Sequence, residues 1–458
     1  MAATRREFLK RSAAAGALAS APLVWDRSTA WGADINSKLT VAAIGVGGSR
    51  GRYNQGGNIG RKAGKLGRMI AVCDVDDVHT AEFNADFDNQ LNMYSDYREL
   101  FEKEKPDVVT IGTPDHWHVP IAITALRAGS DVYCEKPLTL TIDEGKEIRR
   151  VVEETGRVFQ VGTQQRSEND SQFLKAIAMV QSGRLGKNVN AYVAIGGAPN
   201  EGPFPSTPVP EGLNWDMWVG PAPKVDYCEQ RRRMFRWWFE YSGGKMTDWG
   251  AHHIDIALWA LGYDHSGPQT VKGTCTFPSS VPSSLDWPAF LNGQTTLPNG
   301  FNTAVNFNID LEFANGAVMS VNDEYKREDT NIAFDNGILF EGDAGRIFVN
   351  RGKLEGKPIE DLTAADNEEL HDRIIKLYKG REPGDHMANF FACVADREQP
   401  ISDVVTHHRT MTCCHLCNIS LMLGRELHWD PKAETFVGDD EAVSLMTRKR
   451  RPEYDISV

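Results

Sequence analysis

The stretch Gly45-Val46-Gly47-Gly48-Ser49-Arg50-Gly51 follows directly on a short apolar run at 39–44. Glycine serves two ends at such a place. The chain turns sharply, and its backbone comes close to a pyrophosphate with no Cβ in the way. A helix starting after the turn would add its free N–H groups. Gly45, Gly47, Gly48, Ser49 and Arg50 are therefore the candidate phosphate cradle, with Gly48 or Gly51 as the third glycine of the pattern. A second apolar run, 69–73, ends on Asp74. A carboxylate there can accept hydrogen bonds from the ribose hydroxyls of an adenosine. Asp76 and Asp77 add negative charge that would repel a 2′-phosphate, which favours NAD over NADP.

These groups need a scaffold, and the alternation of the chain supplies one. Strand patterns at 39–44, 69–73, 108–112, 132–134 and 158–162 alternate with helical patterns at 97–104, 120–128 and 142–154. That repetition predicts a doubly wound parallel sheet, with ligands at the carboxyl ends of its strands. Two loops fall there: Thr113-Pro114-Asp115-His116-Trp117-His118 and Glu135-Lys136-Pro137. Thr113, Pro114, Glu135 and Lys136 are candidate cofactor contacts. His116 and His118 either join them or order the loop. Between the glycine turn and the second strand, Gly56, Gly57, Gly60, Gly64 and Gly67 make a poor helix.

Beyond residue 162 the pattern changes. Helix is expected at 173–183 and strand at 189–195. From 303 to 313 the odd positions are apolar or Thr and the even ones mostly polar, as in a strand with one dry face. Asn315-Gly316 and Asn336-Gly337 read as hairpin turns, and 388–394 and 410–423 as late helices. The fold class is thus α/β: an N-terminal Rossmann domain (34–162) and a C-terminal α+β domain (163–458) with an open, mainly antiparallel sheet.

The chain resembles the glucose–fructose oxidoreductase / inositol dehydrogenase (Gfo/Idh/MocA) family. The resemblance rests on Gly45-Val46-Gly47-Gly48, the Thr113–His118 loop, the run from Ala128 through Glu135-Lys136-Pro137-Leu138, and Gly243-Gly244-Lys245-Met246-Thr247-Asp248-Trp249-Gly250-Ala251-His252-His253-Ile254-Asp255. It implies Lys136 beside the nicotinamide, with Asp248 and His252 as the acidic and imidazole partners. His253 competes with His252, and Asp255 completes the pattern. Oxidising a secondary alcohol needs a hydride acceptor, which the cofactor supplies, and a proton acceptor near neutral pKa. His252 suits the second task, with Asp248 four residues earlier to orient it. Lys136 would polarise the oxygen. Gln165, Arg166, Arg236, Trp237 and His253 are the substrate candidates, because amides, charges and aromatic faces bind sugars. The expected activity is NAD(H)-dependent oxidation or reduction of a secondary hydroxyl on a sugar, polyol or glycoside. Redox-neutral glycoside cleavage by oxidation and elimination is the first alternative, and inert carbohydrate binding the second. The resemblance also implies a homodimer or homotetramer.

Composition narrows the field. The 458 residues carry a formal charge of −13, against nucleic-acid binding. The eight cysteines form no disulfide framework, and no metal ligand set is expected. Cys413, Cys414 and Cys417 read as a buried helix, and Arg448–Arg451 as a solvated terminus. Thr4-Arg5-Arg6-Glu7-Phe8-Leu9-Lys10 and the mild apolar run after it resemble a twin-arginine export signal over residues 1–33. That implies the twin-arginine translocase as a partner, a periplasmic or cell-envelope location and a soluble mature chain. The translocase carries folded proteins. Free nicotinamide cofactor is scarce outside the cytoplasm, so a tightly held NAD(H) is expected.

Overall fold

Short apolar strands buried on both faces dictate the first layer. A computed structural model describes residues 38–328 and 332–455; the expected export signal lies outside them. Six strands, β1 (Thr40–Ile44), β2 (Arg68–Cys73), β3 (Asn92–Tyr94), β4 (Val108–Ile111), β5 (Asp131–Cys134) and β6 (Phe159–Val161), form one sheet in the order β3-β2-β1-β4-β5-β6. Every pairing is parallel. The chain reverses its winding between β1 and β4, where a crevice opens in such sheets.

The glycine-rich stretch forms a helix after all, Gln55–Leu66. Its glycines replace side chains where packing leaves no room. A methyl on Gly56 would strike the carbonyl oxygen of Gly45, and one on Gly60 would meet Phe83. Tertiary packing therefore overrides propensity here.

The second sheet has nine strands: β7 (Asn190–Ala194), β8 (Thr270–Thr276), β9 (Asn306–Glu312) and β10 (Val318–Asn322), then β13 (Gly337–Gly342), β14 (Gly345–Val349), β15 (Leu354–Glu355), β16 (Leu427–Asp430) and β17 (Thr435–Phe436). A separate ribbon joins β11 (Tyr325–Arg327) to β12 (Ile332–Phe334). The large sheet runs β15-β14-β13-β7-β10-β9-β8-β16-β17. Its pairings are antiparallel except β7 with β10. Along β9, Phe307, Ile309 and Leu311 are buried while Asn306, Asn308, Asp310 and Glu312 are exposed. The helices Gln172–Gln181, Gly250–Leu261 and Val404–Leu423 share one apolar core with the dry face. Cys413, Cys414 and Cys417 are buried in the last of these.

Two expectations need correcting. Asn315-Gly316 does close the β9–β10 hairpin. Asn336-Gly337 closes none: β12 pairs with β11, whereas β13 pairs with β7 and β14, so the chain changes sheets there. The basic tail is packed rather than solvated. Arg448 donates to the Phe239 carbonyl. Arg450 lies 3.2 Å from Glu144 and Arg451 2.9 Å from Asp216. Tyr454 stands edge-on to Trp117 at 5.2 Å. Each of the three guanidiniums meets a partner presented by another part of the fold, which charge counting along the chain cannot show; Lys449 stays exposed.

Candidate active site

The glycine turn after β1 carries the first wall of a cleft enclosing about 390 Å³. Gly45 and Gly47 have φ of +72° and +63°, and any Cβ on Gly45 would collide with Thr113. The turn is long, and its helix begins only at Gln55. Asn54, before that helix, makes no side-chain cap, so the N-terminal amides stay open. The third-glycine role falls on Gly56, not Gly48 or Gly51: Gly56 packs on Gly45 and on Gly112, just past β4. We expect Gly56→Ala to cost about 1–3 kcal/mol of stability, because backbone must move. An unchanged urea midpoint would contradict this packing.

Asp74 lines the cleft at the end of β2 and accepts from the Gly47 amide at 3.1 Å. Asp76 is buried and paired with Arg232, with Arg50 at 3.7 Å. Asp76 thus occupies the nearest cation, Arg232, and draws on Arg50, which agrees with an unphosphorylated 2′ position. Glycine cradle, open helix N-terminus and ribose-facing carboxylate together fit NAD.

Lys136 follows β5, and its Nζ donates to Asp248 Oδ1 at 2.7 Å and to the Asp248 carbonyl at 3.1 Å. Asp248 ends the short helix Gly244–Asp248, and Arg236 approaches the same oxygen at 3.3 Å. Burial alone would raise the Asp248 pKa, but Arg236 and Lys136 outweigh it and hold it at about 2. Asp248 therefore braces Lys136, not the imidazole, because the helix breaks at Trp249 before His252 on Gly250–Leu261. His252 faces the cleft, and its Nε2 accepts from Arg351 Nη2 at 3.1 Å. That contact places the imidazole proton on Nδ1, which has no partner among the described residues. Burial, then Lys136 and Arg351, push the His252 pKa well below 6.5.

Thr113, Pro114, His118 and Glu135 also line the cleft. The His118 ring joins the two loops, with Pro137 O at 2.7 Å and Thr113 O at 2.9 Å. Glu135 accepts from Gln55 and Gln164, both at 3.0 Å, and burial raises its pKa. Gln165 is buried behind His252. With its amide turned to satisfy both ends, it donates to the His252 carbonyl and accepts from Arg351 Nε, each at 3.1 Å.

Besides Gln165, seven candidates stand off the cleft. Gly48 abuts His79 and Glu82, and the Ser49 amide donates to Glu82 at 2.9 Å. Arg50 reaches Glu211 O at 2.8 Å. The extra turn length carries these three away. His116 Nε2 lies 2.9 Å from Trp218 O, tying down a neighbouring helix. Arg166 is consumed by a bidentate pair with Asp255 at 2.7 Å. Trp237 is buried against Phe301. His253 points the other way, to Asn336 Oδ1 at 3.1 Å. Arg351, Tyr53 and Arg232 line the cleft without having been singled out as site residues. Arg232 stood in an Arg-Trp run; Arg351 and Tyr53 carried no local signal.

Fold and site define a two-domain oxidoreductase with a dinucleotide cleft. The chain belongs to the Gfo/Idh/MocA oxidoreductase family. Residues 39–163 match its NAD-binding Rossmann fold, and 199–280 with 304–456 its C-terminal alpha/beta domain. D-Glucoside 3-dehydrogenase of Escherichia coli is 25% identical over 50% of this chain and 55% of its own length. scyllo-Inositol 2-dehydrogenase (NAD(+)) of Bacillus subtilis is 29% identical over 36% of this chain and 38% of its own. The chain thus spans less than two thirds of either relative. Among solved structures, the WlbA dehydrogenase of Bordetella pertussis, in complex with NADH and UDP-GlcNAcA, aligns with TM-score 0.59 at 16% identity, over 86% of this chain and 98% of that one. Aldose-aldose oxidoreductase of Caulobacter crescentus aligns with TM-score 0.57 at 17% identity, over 85% and 99%. At such identities these two show the fold.

Proposed function

We propose that the protein is an NAD(H)-dependent oxidoreductase acting on a secondary hydroxyl of a sugar, polyol or glycoside. The observation that carries this is the meeting of Lys136, Asp248 and His252 on the walls of the same cleft as the glycine cradle. When bound, NAD supplies the acceptor for the electrons and hydrogen leaving carbon. The chain's own groups handle the oxygen. Two of the three Lys136 ammonium hydrogens are held by Asp248, and the third is free for the substrate oxygen. His252 Nε2 takes the hydroxyl proton once the substrate hydroxyl displaces Arg351 from that lone pair.

The segment between β7 and the Gly244–Asp248 helix straps the adenosine end. Asp77 N donates to Gly212 O at 2.9 Å and Asn214 N to Val75 O at 2.9 Å, while Arg232 is ion-paired with Asp76. A cleft closed in this way supports a cofactor retained through export. We place the mature protein in the periplasm or cell envelope after twin-arginine transport, as a soluble homo-oligomer. Arg232→Ala should lower stability by about 1–3 kcal/mol, since the buried Asp76 loses its nearest cation and keeps only Arg50 at 3.7 Å and the Val78 amide. It should also let the cofactor escape during dialysis; undiminished retention would contradict the strap.

The test of function is purification without added cofactor, then absorbance near 340 nm on adding sugars and glycosides. A rise with one sugar class supports dehydrogenation. A flat trace with every sugar, despite bound nicotinamide, contradicts it.

A further inference from the structure

The corner around Asp248 holds more positive charge than its carboxylates answer. Lys136 and Arg236 share Asp248, and Arg236 also faces Asp115 at 3.8 Å. Two more cations, Lys245 and Arg351, act on the same carboxylate, with Asp335 a more distant influence on Lys245 and Glu168, itself paired with Lys62, on Arg351. Neither has a carboxylate oxygen within 4.0 Å among the described residues. Arg351 meets only neutral groups: His252 Nε2 at 3.1 Å, the Gln165 amide, and the Trp249 ring at 4.7 Å. Lys245 is half-buried and lays its Nζ over Gly196, where a Cβ would sit 3.2 Å away.

Holding a partly buried cation without a counter-charge costs free energy. Arg351 lines the ligand cleft, and Lys245, not itself on its wall, acts on the same Asp248; such a pair is pre-organised for negative charge that a ligand brings. The cofactor's pyrophosphate does not answer them, because its cradle is the Gly45–Gly47 turn. There is room beyond Arg351. A second cavity of about 500 Å³ shares Gln55, Gln164 and Arg351 with the cleft. Of the cations on its wall, Arg61 and Lys62 are already paired, with Asp86 and with Glu168 and Asp385, while the exposed Lys65 has no carboxylate oxygen within 4.0 Å among the described residues.

We infer that Lys245 and Arg351 form an anion subsite and that the substrate is an acidic sugar, a hexuronic acid or glycuronide. Its carboxylate meets the planar fork of Arg351, with Lys245 as the second cation, while a ring hydroxyl lies between Lys136 and His252. This rests on the dehydrogenase reading for the hydroxyl, but not for the anion.

The test is calorimetric binding to the cofactor-loaded full chain. The probes are matched pairs of methyl glycosides and methyl glycuronides in the gluco, galacto and manno series. In at least one series the glycuronide should bind about tenfold tighter or more. Arg351→Gln and Lys245→Met should each shrink that ratio to about threefold or less, and Arg351→Lys should restore part of it. Absence of preference in all three series overturns the subsite, as does an Arg351→Gln that weakens both members of a pair equally. Preference for a glycuronide with no reduction of bound NAD leaves the subsite standing and overturns the dehydrogenase reading. Oxidation of neutral glycosides without preference does the reverse.

Discussion

Lys136→Met should lower turnover by about 10³-fold while leaving bound cofactor and thermal stability nearly unchanged. The methionine keeps the length and apolar stem of lysine but has no donor. Asp248 does not become an orphan, because Arg236 still reaches its Oδ1 at 3.3 Å. What disappears is the one ammonium hydrogen that Asp248 leaves free for the substrate oxygen. The loss should fall on kcat more than on KM, since the interaction strengthens as charge grows on that oxygen. Steady-state rates on the best sugar, with cofactor content measured on the same sample, check this. A variant within tenfold of the parent would remove Lys136 from the chemistry.

The second large effect is on stability in acid. His116, His253, His386 and His407 are fully buried, and burial first of all lowers their pKa values to about 4; His415 falls to about 3. In the unfolded chain each returns to about 6.5. Between pH 6.5 and 4 the unfolded state therefore binds more protons than the folded one. Stability is complete above about pH 7 and falls as the pH drops. One such histidine is worth up to roughly 3 kcal/mol at pH 4. Two or three would consume a large share of the roughly 5–15 kcal/mol of a typical domain. Asp248 and Glu434, held at about 2 by their cationic partners, add their losses progressively as the pH falls from about 5 toward 2. The protein should unfold cooperatively near pH 5, seen as a steep fall in melting temperature between pH 7 and 5. A flat profile over that range would contradict the neutral burial of these rings.

What the chain alone makes legible is local. The strand, glycine turn, strand and Asp74 lie within some 35 residues, and each has its own sequence signal. Alternation marked β9, and spacing favoured His252, which the structure turns to the cleft while His253 faces Asn336. Non-local packing hid the rest. Gly56 is tight because Gly45 and Gly112 converge on it, not because of its interval from Gly47. Asp248 has an i+4 neighbour in His252 yet binds Lys136, 112 residues away. Arg351 reaches His252 across 99 residues from a turn with no chemical signature. Arg166 looked like a cleft group because it follows a parallel strand, but a buried Asp255 takes its Nε and Nη2 and the Ile401 carbonyl its Nη1.

The most direct measurement is a structure of the chain with NAD⁺ bound. The pyrophosphate should lie against the Gly45–Gly47 turn and on the helix start at Gln55, with the nicotinamide ring between Lys136 and His252. A dinucleotide seated elsewhere, or a ring turned away from both side chains, would contradict the account.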